Sequence, residues 1–325
     1  MRFLSIFFDL LEPFFRLGQK WLGLSRLGWL FVGPNLLVIG FFTFLPILIN
    51  IVYATTGGVN LFPLERPFTG AENFQILFEC RNYLELSSCR KDVFWRAIGN
   101  TLKFSVLQVG LMVLLSLITA LVLNRKIKGR GFWRGVFFYP VLLSPVVVAL
   151  IWKWLLQNQG VFNASLVALD RSTIEWLTDA GWAFFWTVFV SIWAHMGFYT
   201  LILLAGLQAI PRDLYEAAEM DRANPWRTLT RITLPLLMPN LIVVLVLAAI
   251  RAVQVFDEVF VLTGGGPGSA TTFIVQFIYQ TGFAEQIHLY GLAAAASLAL
   301  AAFLVVLTLA QLRLTHANEA GQKQR

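Results

Sequence analysis

Apolar residues in this chain run in long unbroken stretches, without the alternation of a strand or the one-sided stripe of a soluble helix. Six stretches reach the roughly 20 residues that a helix needs to cross a bilayer. They are Gly28–Tyr53, Thr101–Leu123, Gly135–Leu156, Trp182–Ala209, Leu236–Leu262 and Ile287–Leu312. Continuous apolarity favours helices over a barrel, because a helix satisfies its backbone groups within one segment. The expected fold is all-α: a polytopic membrane protein with six transmembrane helices and both termini on one side. Pro34, Pro46, Pro140 and Pro145 fall inside the stretches, where neighbouring helices can satisfy the carbonyls they free.

Residues 28–314 therefore form one membrane domain, preceded by residues 1–27 and followed by a tail at 315–325. Near the start, Phe3, Leu4, Phe7, Phe8, Leu11, Phe14 and Phe15 recur at helical spacing, with Asp9, Glu12 and Arg16 among the polar positions. That pattern predicts an interfacial helix on the cytoplasmic leaflet. A cleavable signal is not expected, since a clean apolar core and a small-residue cleavage site are both missing.

Composition narrows the class. The chain is 58% apolar and 13% charged, about half the roughly 25% charge of soluble domains, so a soluble fold is excluded. The net charge of +7 raises nucleic acid as a partner, and position decides against it. Segments 1–27, 124–134, 210–235 and 313–325 hold 16 Lys and Arg in 77 residues, whereas 54–100, 157–181 and 263–286 hold 6 in 96. By the positive-inside rule the first set and both termini are cytoplasmic. The basic charge is topological. Three His and two Cys leave little material for a metal cluster, and no metal is expected. Cys80 and Cys89 share the outside loop 54–100; in an oxidising periplasm a disulfide there stabilises by about 2–3 kcal/mol. The alternative is two free thiols.

One inside loop stands apart. Residues 210–235 carry Asp213 as an N-cap with Glu216 three residues on, as a capping box places it. A short helix from Leu214 to about Arg222 follows, ended by Asn224-Pro225. Leu214, Ala217 and Ala218 give it a small apolar face with no core of its own, which suits docking into another protein's groove. The alternative is a solvated connector.

These residues resemble the EAA loop of permease subunits in binding-protein-dependent ABC importers. The run is Glu216-Ala217-Ala218-x-x-Asp221-x-Ala223, followed by Ile232-x-Leu234-Pro235. Further matches to sugar-importer permeases of the maltose-permease type follow the same chain order. They are Phe94–Thr101, Leu207–Pro211, Phe256-Asp257 with Leu262–Pro267, and Gly291-Leu-Ala-Ala-Ala. The resemblance covers roughly residues 28–314. It implies the ABC importer permease (type I) architecture in a bacterial inner membrane. It also implies a second homologous permease subunit, two ABC ATPase subunits, a periplasmic substrate-binding protein, and a sugar-like solute. By the same resemblance Glu216, Ala217, Ala218 and Asp221 couple the pore to the ATPase. Arg222 stands where the family usually has Gly, so it either changes the turn or makes its own contact with the ATPase.

The chain is not expected to hydrolyse ATP itself. Gly264, Gly265, Gly266 and Pro267 are no phosphate loop, because no Gly-Lys pair occurs in the sequence. ATP and Mg2+ belong to the partner ATPase. The turn reads as a scoop toward the binding protein, or as a structural turn. Polar groups inside spans face a cavity or a partner, so His195, Tyr199, Arg251 and Gln254 are candidates for the substrate path. His195 has an interhelical hydrogen bond as its alternative. Arg251 reads an anionic group or pairs with Asp257 or Glu258, the pairing being preferred. Ala248, Ala252 and Val255 stand where maltose-type permeases carry small polar residues, so the pocket is not a copy of theirs. The competing classes are a secondary transporter or channel, which predicts inverted repeats that the chain lacks, an importer of another solute such as glycerol phosphate, and a membrane-embedded enzyme.

Overall fold

The computed structural model describes residues 24–83 and 85–323, and the interfacial helix expected near the start lies outside them. The described residues are helical, with isolated bridges Thr56–Phe68 and Cys80–Cys89 in place of strands. The first span joins α1 (Leu24–Ile39) through a π-helical turn to α2 (Leu45–Ala54), and Pro46 sits at the start of α2. A short α3 (Glu72–Phe78) lies in the following loop. The second span, α4 (Asp92–Asn124), begins nine residues before the expected Thr101.

Two expected spans are not single helices. The third is broken into α5 (Arg130–Phe138), a 3-10 turn at Tyr139–Leu142, α6 (Pro145–Leu156) and α7 (Val161–Ala168). Its two arms meet at 99°, so the chain has five long apolar helices, or six spans if the bent pair counts as one. The break falls at Pro145: a proline lacks its N–H and forces the preceding residue out of the helical region, whereas Pro140 sits in the 3-10 turn. Ser144, before Pro145, is indeed extended at ψ 136°.

The fourth span is α8 (Ala180–Ala209), capped by the Asp179 side chain accepting from the Trp182 amide, and it is the most enclosed of the long helices. A short α9 (Arg212–Met220) follows. The fifth span starts earlier than expected, at α10 (Pro225–Thr228), and runs through a π-helical segment into α11 (Leu234–Val253). It breaks at Gln254–Phe256, and α12 (Asp257–Leu262) restarts with Asp257 and Glu258 in its first turn, where acidic groups favour the positive helix end. After α13 (Ile274–Tyr279) the last span, α14 (Tyr290–Lys323), continues as helix through most of the expected tail.

Helices α4, α8 and α11 form the central core, around Phe104, Met112, Leu203, Leu237 and Val244. Glycine permits the closest approach: a Cβ on Gly206 would lie 2.5 Å from Asn240 on α11. At one end, α2, α3, α13 and α14 pack around Ala54, Leu77, Phe94 and Phe277. There the buried Arg66 donates to Thr56 Oγ1 (3.0 Å), the Thr56 carbonyl (3.2 Å) and the Asn60 carbonyl (2.7 Å). Its guanidinium lies 5.2 Å from the Tyr53 ring centroid and 6.0 Å from that of Tyr290, within cation–π range. Burial lowers its pKa from the ordinary arginine value, against the opposing effect of the two tyrosines. Asn73 Nδ2 donates to the Ala54 and Thr56 carbonyls at 2.9 and 3.0 Å. Cys80 and Cys89 are bonded in this loop, with their Cα atoms 4.0 Å apart.

Candidate functional site

At the opposite end of α8 the chain turns through residues 210–235. Helix α9 starts at Arg212 rather than Leu214, and Pro211 precedes it without a side-chain cap. The expected Asp213–Glu216 capping box is therefore absent, because Asp213 lies inside the first turn, where its charge still suits the helix dipole. The C-terminus is tightly closed. Arg222 donates its amide to the Glu219 carbonyl (3.0 Å) and Ala223 donates to the Ala218 carbonyl (2.9 Å). Arg222 itself has φ +50°. This is a Schellman turn with arginine at the left-handed position that glycine ordinarily fills. The loop thus closes tightly with arginine in that place, and the Arg222 side chain is exposed at its apex.

The helix divides its coupling candidates. Glu216, Ala217, Asp221 and Arg222 are exposed, whereas Ala218 is only 7% exposed and packs inward. Ala218 therefore does not share the outward face with Leu214 and Ala217; it anchors the helix alongside Tyr215, whose hydroxyl meets Thr233 Oγ1 at 3.2 Å. Asn224 caps α10, accepting from the Arg227 amide at 2.7 Å. Beside the loop lies a groove of about 670 Å³ between Leu121, Arg125, Tyr215, Glu219 and Trp226. Met220 and Trp226 stand 86% and 72% exposed.

Deeper in the bundle, His195, Tyr199 and Arg251 come together around one cavity of about 290 Å³, closed on the far side by Pro140, Val141, Leu143 and Pro145. The bent third span reaches this position because a Cβ on Gly197 would fall 2.2 Å from the Phe137 carbonyl oxygen. Gln254 is exposed and lies outside the cavity lining. His195 Nδ1 meets the Ser191 carbonyl at 2.9 Å, and its Nε2 contacts Arg251 Nη2. A carbonyl only accepts and a guanidinium only donates, so the ring is neutral with its proton on Nδ1. His195 thus makes an interhelical hydrogen bond and lines the cavity at once.

Arg251 does not pair with Asp257 or Glu258. Among the described residues the ion pairs are Glu79–Arg90 and Asp92–Arg96. The break at Gln254–Phe256 diverts the carboxylates from the α11 face on which Arg251 lies. Glu258 is instead buried at 5% exposure and accepts from Ser191 Oγ at 3.2 Å, so Ser191 connects it to His195. Sequence reasoning missed Ser191 and the Pro140–Pro145 wall, and it named Glu258 with the wrong partner, Arg251 in place of Ser191. The signal for the wall was the spacing of the two prolines; for the Ser191–Glu258 pairing there was none beyond the charge of Glu258. Ala248, Ala252 and Val255 are buried in the core and line no part of the cavity.

The Gly264–Pro267 turn is held by its neighbours. Gly264 and Gly265 take φ +65° and +94°. Thr271 Oγ1 donates to the Gly266 carbonyl (2.8 Å) and Thr272 Oγ1 to that of Gly265 (3.2 Å). Gly265 is buried, and a Cβ there would lie 2.6 Å from Gln276 Nε2. Only Gly264 of these four residues is exposed.

This architecture has known counterparts. Residues 112–317 match the model of the binding-protein-dependent transport system inner membrane component family. The trehalose/maltose transport system permease protein of Thermococcus litoralis is 41% identical over 251 residues, covering 77% of this chain and 81% of that protein. The lactose transport system permease protein of Rhizobium radiobacter is 33% identical, over 79% and 83% of the two chains. The solved structure of a bacterial ABC transporter involved in the import of the acidic polysaccharide alginate superimposes with a TM-score of 0.75 at 26% identity, covering 93% of this chain and 99% of that one. By these matches the chain belongs to the inner-membrane component family of binding-protein-dependent transport systems.

Proposed function

We propose that this chain is one half of the pore of an ATP-driven importer for a sugar, oligosaccharide or glycosylated polyol. A second homologous permease completes the pore and a periplasmic binding protein delivers the solute. Two ATPase subunits, which hold the ATP and Mg2+, dock at the end that carries residues 210–235. Both chain termini then face the cytoplasm, in keeping with the distribution of Lys and Arg. The sugar class is supported by relatives that bear the names trehalose/maltose and lactose permease. Solute passes the cavity of His195, Tyr199 and Arg251, while Gly264–Pro267 contributes a fixed turn at the mouth toward the binding protein.

The observation that carries the coupling role is the exposed edge of α9. Glu216, Ala217 and Asp221 project from a short helix that the Arg222 turn and buried Ala218 hold in one orientation. A rigid lever with a charged edge transmits a partner's motion without absorbing it. In the reconstituted complex, Glu216→Ala is expected to lower ATPase stimulation by the loaded binding protein roughly tenfold, as loss of one charged hydrogen bond of about 1.5 kcal/mol implies. The complex should still assemble. Full stimulation by the variant would remove Glu216 from the coupling path.

A further inference from the structure

The first turns of α5 hold a second cluster that the transport cycle leaves unused. Arg130 and Arg134 lie one helical turn apart on one face, and both reach across to α8. With its carboxamide oxygen facing them, Gln208 accepts from Arg134 Nη2 at 2.7 Å and from Arg130 Nη2 at 3.0 Å. One neutral acceptor thus gathers two positive charges. Neither arginine belongs to an ion pair among the described residues. Both Nε atoms are buried and have no partner. Residues 124–134 hold five basic residues and no acidic one, and the α8 terminus beside them, Gln208-Ala209, adds no acid.

Two guanidinium groups held side by side on one neutral acceptor, with no acidic partner, suit an anion with several acceptor oxygens reaching their outer N–H groups. Guanidinium matches phosphate in planar, two-point geometry. The surroundings select the kind of phosphate. On the same helix Phe132 and Trp133 are 70% and 46% exposed. Aromatic side chains beside basic ones at the end of a membrane span are the signature of the headgroup level. Arg134 lies about 6 Å further along the helix than Arg130, at 1.5 Å per residue.

We propose that Arg130, Arg134 and Gln208 form a binding site for the phosphate of an anionic phospholipid, in the leaflet at the 210–235 end, with Phe132 and Trp133 against its acyl chains. The site ties α5 to the end of α8, next to the coupling loop, so bound lipid braces the two elements flanking that loop. It is separate from the solute cavity and does not depend on the solute's identity.

The test is native mass spectrometry of the full-length chain, purified with its cognate subunits, delipidated and titrated with phosphatidylglycerol or phosphatidylcholine. The expected result is retention of phosphatidylglycerol in preference to phosphatidylcholine. In the R130Q/R134Q double variant that retention weakens at least roughly tenfold, the effect expected from removing two basic contacts at an anionic surface. A K126Q/K128Q variant, from the same loop but outside the cluster, retains lipid as the parent does. R130K/R134K keeps the charge without the fork and falls between, which separates lipid loss from misfolding of the glutamine variant. Equal retention of the two lipids by the parent, or undiminished phosphatidylglycerol in both Arg variants, overturns the proposal. So does loss of an ATPase subunit from R130Q/R134Q with lipid retention unchanged, which assigns the arginines to a protein contact.

Discussion

At the end of the bundle that carries residues 54–100, the long connection is tied back to the helices it joins. Arg66 and Asn73 hold the backbone around Ala54–Asn60, Cys80 and Cys89 close the outer turn, and Asn100 Nδ2 donates to the Ser269 carbonyl (2.7 Å) in the neighbouring loop. The loop at residues 210–235 has few such ties. Tyr215 and the buried Ala218 hold α9 to the bundle, while Met220, Trp226 and a charged edge stay bare. The first end is tied mostly to itself, so its residues should act on stability. The second keeps more of its side chains exposed, and under the proposed function its residues act through the partner that covers them. Mutations at the two ends should separate along that line.

The largest stability effect belongs to the tied end. A Cβ on Gly291 would lie 2.5 Å from the Thr56 carbonyl oxygen and 2.7 Å from Asn73 Nδ2. Gly291→Val has to displace backbone and break the Arg66–Asn73 network. A loss of about 3 kcal/mol or more is expected, from overpacking plus unsatisfied buried groups. It would appear as a lower midpoint in detergent unfolding. An unchanged midpoint would mean that this end is loosely packed. Next in size is the cysteine pair, for which Cys80→Ser with Cys89→Ser should cost about 2–3 kcal/mol. Mass-shift labelling of the parent should modify both thiols only after reduction; labelling without reductant would show that this end is not covalently closed.

The smallest effect is expected at the open end. Arg222→Gly relieves a left-handed arginine at the expense of a more flexible unfolded chain, leaving a net gain below about 1 kcal/mol. Global unfolding should not move, while hydrogen exchange at the Ala223 amide should slow. Faster exchange would show that the Arg222 side chain, not only its backbone, holds the turn.

Much of the fold was legible because membrane spans announce themselves by length and apolarity alone. The EAA-type run was legible too, since its residue types sit between two such spans. What stayed hidden was direction. Residues 212–220 do not reveal that Ala218 turns inward while Ala217 faces out, for both fit one apolar stripe. Arg251 looked ready to pair with acids six and seven residues on, and only the helix break sends them elsewhere. The Pro140–Pro145 pair was visible, but apolarity on both sides disguised a 99° bend as one straight span. Hydropathy reads what a segment is immersed in and is blind to where its axis points.

The breaks in the third and fifth spans also change what a solute would meet. An intact helix offers passing molecules only its side chains, because its amides and carbonyls are occupied by one another. Each helix end leaves up to four such groups unpaired. Residues 143–144 and 254–256 interrupt their spans, and the first interruption forms a wall of the His195 cavity that Arg251 also lines. The main chain can therefore supply polarity there without polar side chains. A cavity walled in part by such an interruption can offer main-chain polarity to a hydroxyl group, and a residue-by-residue reading of the sequence does not look there.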